Sequence, residues 1–276
     1  MSNSQADVDQ ANSSFWDDLC GSHLANVLGV TDSTPSSLKK FDDWYMDYYP
    51  YLLDHIPFGS MAGKDVLEVG LGYGTVSQKI MLSGAQYSGL DIAAGPVAMC
   101  NDRANQIGRE PGARQGSILH APFRDATFDY VVAIGCLHHT GDLQGAINEC
   151  LRVLRPGGKL IFMVYYAYSL RRFQQARSET LRYLKAETFG YRGPVFGMRA
   201  AERASYDKNS AGDAAPHTDF ISRRSLAHLC CGFTKFSSRV ENWDDASPFK
   251  TSKRADMIGS VWPRFLGLDL YATATK

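Results

Sequence analysis

Several things are missing from these 276 residues, and each absence closes off a class of protein. No stretch approaches the roughly 20 uninterrupted apolar residues that a membrane helix needs, and Met1 to Asn12 carries no apolar signal-peptide core. Net charge is lacking too, with Lys+Arg and Asp+Glu both 29. That balance argues against a broad electrostatic grip on nucleic acid or an anionic membrane, although it leaves local patches open. The six cysteines (Cys20, Cys100, Cys136, Cys150, Cys230, Cys231) form no C-x-x-C pair, and this spacing suits neither a zinc site nor a disulfide framework. They read as reduced thiols of a cytoplasmic protein. No internal repeat is visible.

A change of rhythm runs through what is present. Residues 1–12 are polar and Ser- and Asn-rich, and are expected to form a disordered tail. Residues 13–62 form a leading helical segment, with Ser14 as a candidate cap and Leu38, Phe41, Trp44, Tyr45 and Tyr48 on one face at three- and four-residue spacing. From Lys64 onward strands and helices alternate. Strands are expected at 65–69, 86–91, 113–117, 128–134 and 159–165, with helices at 75–82, 95–106 and 143–154. Apolar strands alternating with helices mean a parallel sheet covered on both faces. Residues 168 to about 216 break the rhythm as an irregular helical insertion, after which a helix and two strands, 233–241 and 268–275, complete a core spanning 63–276.

The first strand runs into Glu68-Val69-Gly70-Leu71-Gly72-Tyr73-Gly74. Glycines between a strand and a helix expose backbone N–H groups and let a ligand approach the chain closely. A dinucleotide fingerprint would need its third glycine at 75, where this chain has Thr. Glycines at 70, 72 and 74 behind an acidic residue instead resemble motif I of class I S-adenosylmethionine-dependent methyltransferases, in the type 11-like, bacterial small-molecule branch. Several further stretches are similar to the same family. Asp91 matches the acid that accepts both ribose hydroxyls, with Ile92 beside it. Ser117-Ile118 match the adenine border, where many relatives have Asp in place of Ser117. Ile134-Gly135-Cys136-Leu137-His138-His139 resemble motif IV, whose backbone at Gly135 and Cys136 faces the methionine moiety.

The resemblance implies a Rossmann-like, seven-stranded α/β sheet with an N-terminal helical lid and a cap after strand five. It further implies S-adenosyl-L-methionine as cofactor, held by Glu68, Gly70, Gly72, Gly74, Asp91, Ile92, Ser117, Ile118, Gly135 and Cys136, with no metal. Methyl transfer needs an aligned acceptor and often a base. The candidates are His138, His139, Tyr165 and Tyr166, with His138 read as the freer histidine and His217 as a weaker entrant. Arg171, Arg172, Arg177, Arg182, Lys185, Arg192, Arg199 and Arg203 outnumber Glu179, Glu187 and Glu202 in the insertion. That excess suits either an anionic acceptor or, more simply, a solvated face.

The expected partner is a small-molecule acceptor, in keeping with secondary metabolism, rather than nucleic acid or membrane; homo-oligomerisation stays open. The alternatives are macromolecule methylation, which the absence of N/D-P-P-Y/F at 134–137 disfavours, and a cofactor-binding relative without transfer activity.

Overall fold

The computed structural model describes residues 4–17, 25, 27–30, 32–243 and 254–276. At its centre lie β1 (Asp65–Val69), β2 (Gln86–Asp91), β3 (Ala113–Gln115), β4 (Phe128–Ile134) and β5 (Leu154–Tyr166). These five strands are parallel, in the order β3-β2-β1-β4-β5. Beyond β5 the chain adds β9 (Asp269–Thr275), antiparallel to β5, and then β8 (Lys235–Glu241), antiparallel to β9. That completes the expected seven-stranded sheet. Two short strands extend it: β7 (Asp219–Ile221) pairs with Tyr165 and Tyr166 at the tip of β5, and β6 (Val195–Phe196) pairs with β7. Both lie in or beside the insertion, which was expected to be helical.

The period-two pattern of the central strands explains why they read as continuous apolar runs. Leu67, Val69, Val131, Ala133, Leu160, Phe162 and Val164 face one core, while Val66, Val132, Ile161 and Met163 face the other. Helix α5 (Leu143–Val153) fills the first core with Leu143, Ala146, Ile147, Cys150 and Val153 at three- and four-residue spacing. Helix α3 (Thr75–Leu82) fills the second with Val76 and Ile80. Helix α4 (Ala94–Gln106) joins α3 through Met81, Cys100 and Ala104. The Pro156-Gly157-Gly158 segment, just before the expected start of the strand, is absorbed into β5 as an irregularity between the Phe128↔Leu154 and Tyr130↔Lys159 pairs. Among the described residues no helix is long and apolar enough to cross a membrane.

Two expectations about the N-terminus need correction. Residues 5–12 are not a disordered tail: helix α1 runs from Gln5 to Asp17, and Ser14 lies within it rather than at its start. Local composition gave no reason for order, because the ordering contacts are distant. Asn12 Nδ2 donates to the His139 carbonyl at 2.7 Å, Gln5 Nε2 to Thr140 O at 2.7 Å, and Ser13 Oγ to Ile92 O at 3.0 Å. Phe15 is buried beneath the helix. Of the cysteines, Cys20 lies outside the described residues; the other five are free thiols.

Helix α2 (Pro35–Tyr48) starts where Thr34 caps it and Pro35 occupies its first turn. An ion pair pins it to the core: the Arg103 guanidinium, 1% exposed, meets both Asp42 oxygens at 2.9 Å, and Thr75 Oγ1 donates to Asp42 at 2.6 Å. The insertion folds as α6 (Leu170–Gln175), α7 (Arg177–Thr188) and α8 (Ala200–Ala204). A fully buried Arg172–Glu202 pair at 2.9 Å ties α6 to α8.

Candidate active site at the carboxyl edge of the sheet

The carboxyl ends of β1, β2, β4 and β5 open into one cavity of about 470 Å³, within the range of small-ligand sites. The glycine turn supplies its floor. Gly70 has φ +77°, and a Cβ there would overlap the side chain of Cys136, so glycine is needed both for the turn and for the approach of the β4 edge. Cys136 Sγ donates to the Val69 carbonyl at 3.0 Å and closes that contact. Gly74, at φ +74°, leaves the cavity wall altogether and gives room to Arg103 instead.

Asp91 sits at the end of β2, 7% exposed, and lines the cavity. One of its oxygens accepts from Leu71 N at 2.7 Å and the other from Ala93 N at 2.9 Å. Each carboxylate oxygen offers two lone pairs, so both keep acceptor capacity for a ligand. Burial pushes its pKa up to about 6, against the pull of those backbone donors. Glu68 is also on the wall; burial raises it to about 8, and Tyr87 donates to it at 2.8 Å. Ile92, Ser117, Ile118, Gly135 and Cys136 complete this half of the lining. The Ser117 hydroxyl already accepts from Leu119 N at 3.3 Å, capping the short turn that follows.

Of the four candidates for the chemistry, the structure brings His139 and Tyr165 to the cavity and leaves His138 and Tyr166 off it. His138, expected to be the freer histidine, has no exposed surface and no hydrogen bond to either ring nitrogen. It is packed against His139 and Tyr165 at 4.1 and 4.3 Å, and burial drives its basicity well down. Tyr165 and Tyr166 diverge because strand neighbours point to opposite faces.

Around His139 the sequence reading missed several partners. Its Nδ1 lies 2.7 Å from the His217 carbonyl, which can only accept, so Nδ1 carries the proton and Nε2 a lone pair. His217 thus contributes its backbone, while its ring pairs with Asp219 at 3.1 Å. His139 Nε2 is buried without a hydrogen-bond partner, and Asp207 Oδ2 lies 3.5 Å away. Asp207 comes from the insertion and accepts from Tyr165 OH at 2.9 Å. Burial lowers the basicity of His139 and raises the pKa of Asp207, while each group partly offsets the other's shift. Trp16 of α1 tilts over the imidazole at 4.7 Å. Only the position of Asp207 in an irregular stretch near the return to the sheet hinted at this role.

The remaining wall is aromatic. Phe41, Trp44, Tyr45 and Tyr49 of the leading segment line it together with Tyr165, Tyr206, Tyr271 and Met163. Phe41 stacks on Tyr73 of the glycine turn at 4.1 Å. The helical stripe that could have been plain core is therefore pocket wall as well. Tyr206, Asp207 and Lys208 bring the insertion to the cavity, and Asp9 and Asn12 bring α1.

Residues 67–162, which hold the glycine turn and the β4 edge, match the family model described as a methyltransferase domain. Over this third of its length the chain is similar to class I S-adenosylmethionine-dependent methyltransferases. It is similar to the sterol 24-C-methyltransferase of Schizosaccharomyces pombe, 36% identical over 110 residues, or 39% of this chain and 29% of that protein. It also resembles the ubiquinone biosynthesis O-methyltransferase of Sodalis glossinidius, 32% identical over 116 residues, or 41% and 47% of the two chains. The chain thus spans less than half the length of these two curated relatives. An S-adenosylmethionine-dependent methyltransferase structure from Mesorhizobium loti shares the fold, with TM-score 0.54 and 13% identity over 83% of this chain and 97% of that one. The family's cofactor, S-adenosylmethionine, fits the residues present: a glycine cradle closed against Cys136, and a cavity-wall carboxylate with spare acceptor capacity for vicinal hydroxyls.

Proposed function

We propose that this methyltransferase acts on a small, apolar, ring-bearing acceptor, seated against Trp44, Tyr45, Tyr49, Tyr165 and Tyr206, with His139 receiving the acceptor's proton. A natural product of aromatic or polycyclic character suits such a wall, because stacked ring faces bind planar ligands well. On this reading the glycine turn, Asp91, Ile92, Ser117, Ile118, Gly135 and Cys136 hold the cofactor. When bound, S-adenosylmethionine supplies an electrophilic methyl group on a sulfonium.

The observation that carries the proposal is the orphaned Nε2 of His139, buried on the cavity wall with its tautomer set by the His217 carbonyl. A buried acceptor without a partner calls for a donor from a ligand. Burial keeps the ring neutral, which leaves its lone pair able to accept a proton from an acceptor hydroxyl or amine. The Asp207 carboxylate beside it stabilises the imidazolium so formed. Tyr165 holds Asp207, and Trp16 and the Asn12 bond to the His139 carbonyl hold the ring. Lid, insertion and aromatic wall together exclude water from the reacting groups.

Transfer of labelled methyl from S-adenosylmethionine into a metabolite extract tests the activity, and calorimetry tests cofactor binding separately. With an acceptor in hand, His139→Gln should lower kcat by about 10² to 10⁴ while leaving cofactor affinity within a few-fold. Unchanged kcat would remove His139 as the base, and cofactor binding without transfer to any extract component would sink the proposed activity.

A further inference from the structure

The insertion that closes the cavity has an outer surface that methyl transfer does not use. Residues 168–216 contain nine Lys and Arg against five Asp and Glu, in a chain whose formal net charge is zero. Four of the five acids are turned inward or paired; Arg172 and Arg199 are taken up in two of those pairs, which leaves Arg177, Arg182 and Lys185 as exposed cations of α7. Glu187 is buried against Ser222 and Ser225, Glu202 against Arg172, and Asp207 faces the cavity. Glu179 pairs with Arg199 at 2.6 Å, and of the five only Asp213 is exposed. Among the described residues twelve large hydrophobic side chains stand exposed, and this segment holds six of them.

Those six are Phe173, Leu181, Leu184, Phe189, Tyr191 and Met198, with Phe189 81% and Met198 71% exposed. On α7 the inward positions are Thr180, Tyr183 and Glu187. At about 100° per residue, Leu184, Arg177, Leu181 and Lys185 fall on one outward strip, with Arg182 at its margin. The Arg177 guanidinium already lies over the Phe173 ring, 5.3 Å from its centre. Apolar tips and cations interleaved on one strip suit a surface that is itself apolar below and anionic above, since long basic side chains reach a headgroup while their stems stay in apolar contact.

We propose that the outer face of this insertion docks on an anionic lipid surface, with α7 and Phe189 at the contact. The charge of the strip complements such a surface, and the zero net charge of the chain hides it by averaging. Tyr206, Asp207 and Lys208 of the same segment line the cavity. Docking therefore places the cavity wall beside the bilayer, where an apolar acceptor would be concentrated. The docking itself does not depend on the methyl-transfer reading.

Flotation of the intact protein with vesicles tests it directly, comparing phosphatidylcholine alone with phosphatidylcholine containing about one-third phosphatidylglycerol. The protein should float with the anionic vesicles only, and about 0.5 M salt should release most of it. The triple variant Leu181→Ser, Leu184→Ser, Phe189→Ser and the charge variant Arg177→Glu, Arg182→Glu should each cut binding about tenfold or more. All five side chains are exposed, so unchanged circular dichroism is expected and guards against misfolding as the cause. No flotation with anionic vesicles, or flotation that neither variant weakens, overturns the proposal. So does an apolar variant that leaves vesicle binding intact but converts a sedimenting dimer to monomer, since the face would then join two copies of the chain.

Discussion

Asp91 shows how much one carboxylate can be asked to do. It holds the glycine turn through Leu71 N and starts the following helix through Ala93 N, while facing the cavity with what capacity remains. Burial raises its pKa above the usual carboxylate value to about 6, so its anionic form is complete only above neutrality. If Asp91 holds the cofactor as proposed, lowering the pH through 6 protonates it and removes acceptors for the cofactor's hydroxyls. Cofactor affinity by calorimetry should therefore be flat above about pH 7 and fall roughly tenfold per unit below its pKa. Asp91→Ala should lose about 1.5–3 kcal/mol of binding for each charged hydrogen bond removed; equal affinity for both proteins would exclude this carboxylate from the cofactor site. His138 and His139 make the complementary point. Adjacent and chemically identical, they differ in surroundings because one ring meets the cavity and the other only its neighbours. No property of the dipeptide separates them.

At the scale of elements, segments outside the alternating strand–helix core supply the rest of the cavity wall. Helix α1 brings Trp16 and Asn12, helix α2 brings Phe41, Trp44 and Tyr45, and the insertion brings Tyr206 and Asp207. Their attachment to the core is polar and specific. Asp42→Asn would leave the Arg103 guanidinium, 1% exposed, beside Gln78 and without its ionic partner. Breaking a buried pair in this way costs about 3–5 kcal/mol, reduced here because Asp42 is itself one-quarter exposed. Urea denaturation should show a loss near the lower end of that range, together with weaker cofactor binding as α2 loosens. A loss below about 0.5 kcal/mol would mean that the aromatic contacts of Phe41 and Tyr73 hold α2 unaided. The core elements behave differently: β1, β2, β4 and α3 occupy the ranges their patterns indicate, because each is specified by its own two-fold or 3.6-fold burial.

For the whole molecule, the cavity is roofed by chain segments on both sides of the core domain, so filling it should stabilise the protein globally. At a cofactor concentration of about 100 times Kd the linkage contributes about 2.7 kcal/mol. For a domain of this size that corresponds to a rise in Tm of roughly 5–10 °C by thermal scanning. No rise for the intact protein, against a clear rise for another cofactor-binding methyltransferase under the same conditions, would contradict the site as described. By itself, the sequence determined the sheet, the glycine turn, Asp91 and the family resemblance, because those depend on periodicity and short spacings within about a hundred residues. It did not reveal the helix at residues 5–17, whose ordering contacts are with Ile92, His139 and Thr140 far along the chain. Nor did it bring Asp207 to His139 or turn the basic and apolar side chains of α7 outward together. Those outcomes rest on long-range packing of irregular segments, where no local period records which neighbour a side chain will meet, and only the tertiary structure decided them.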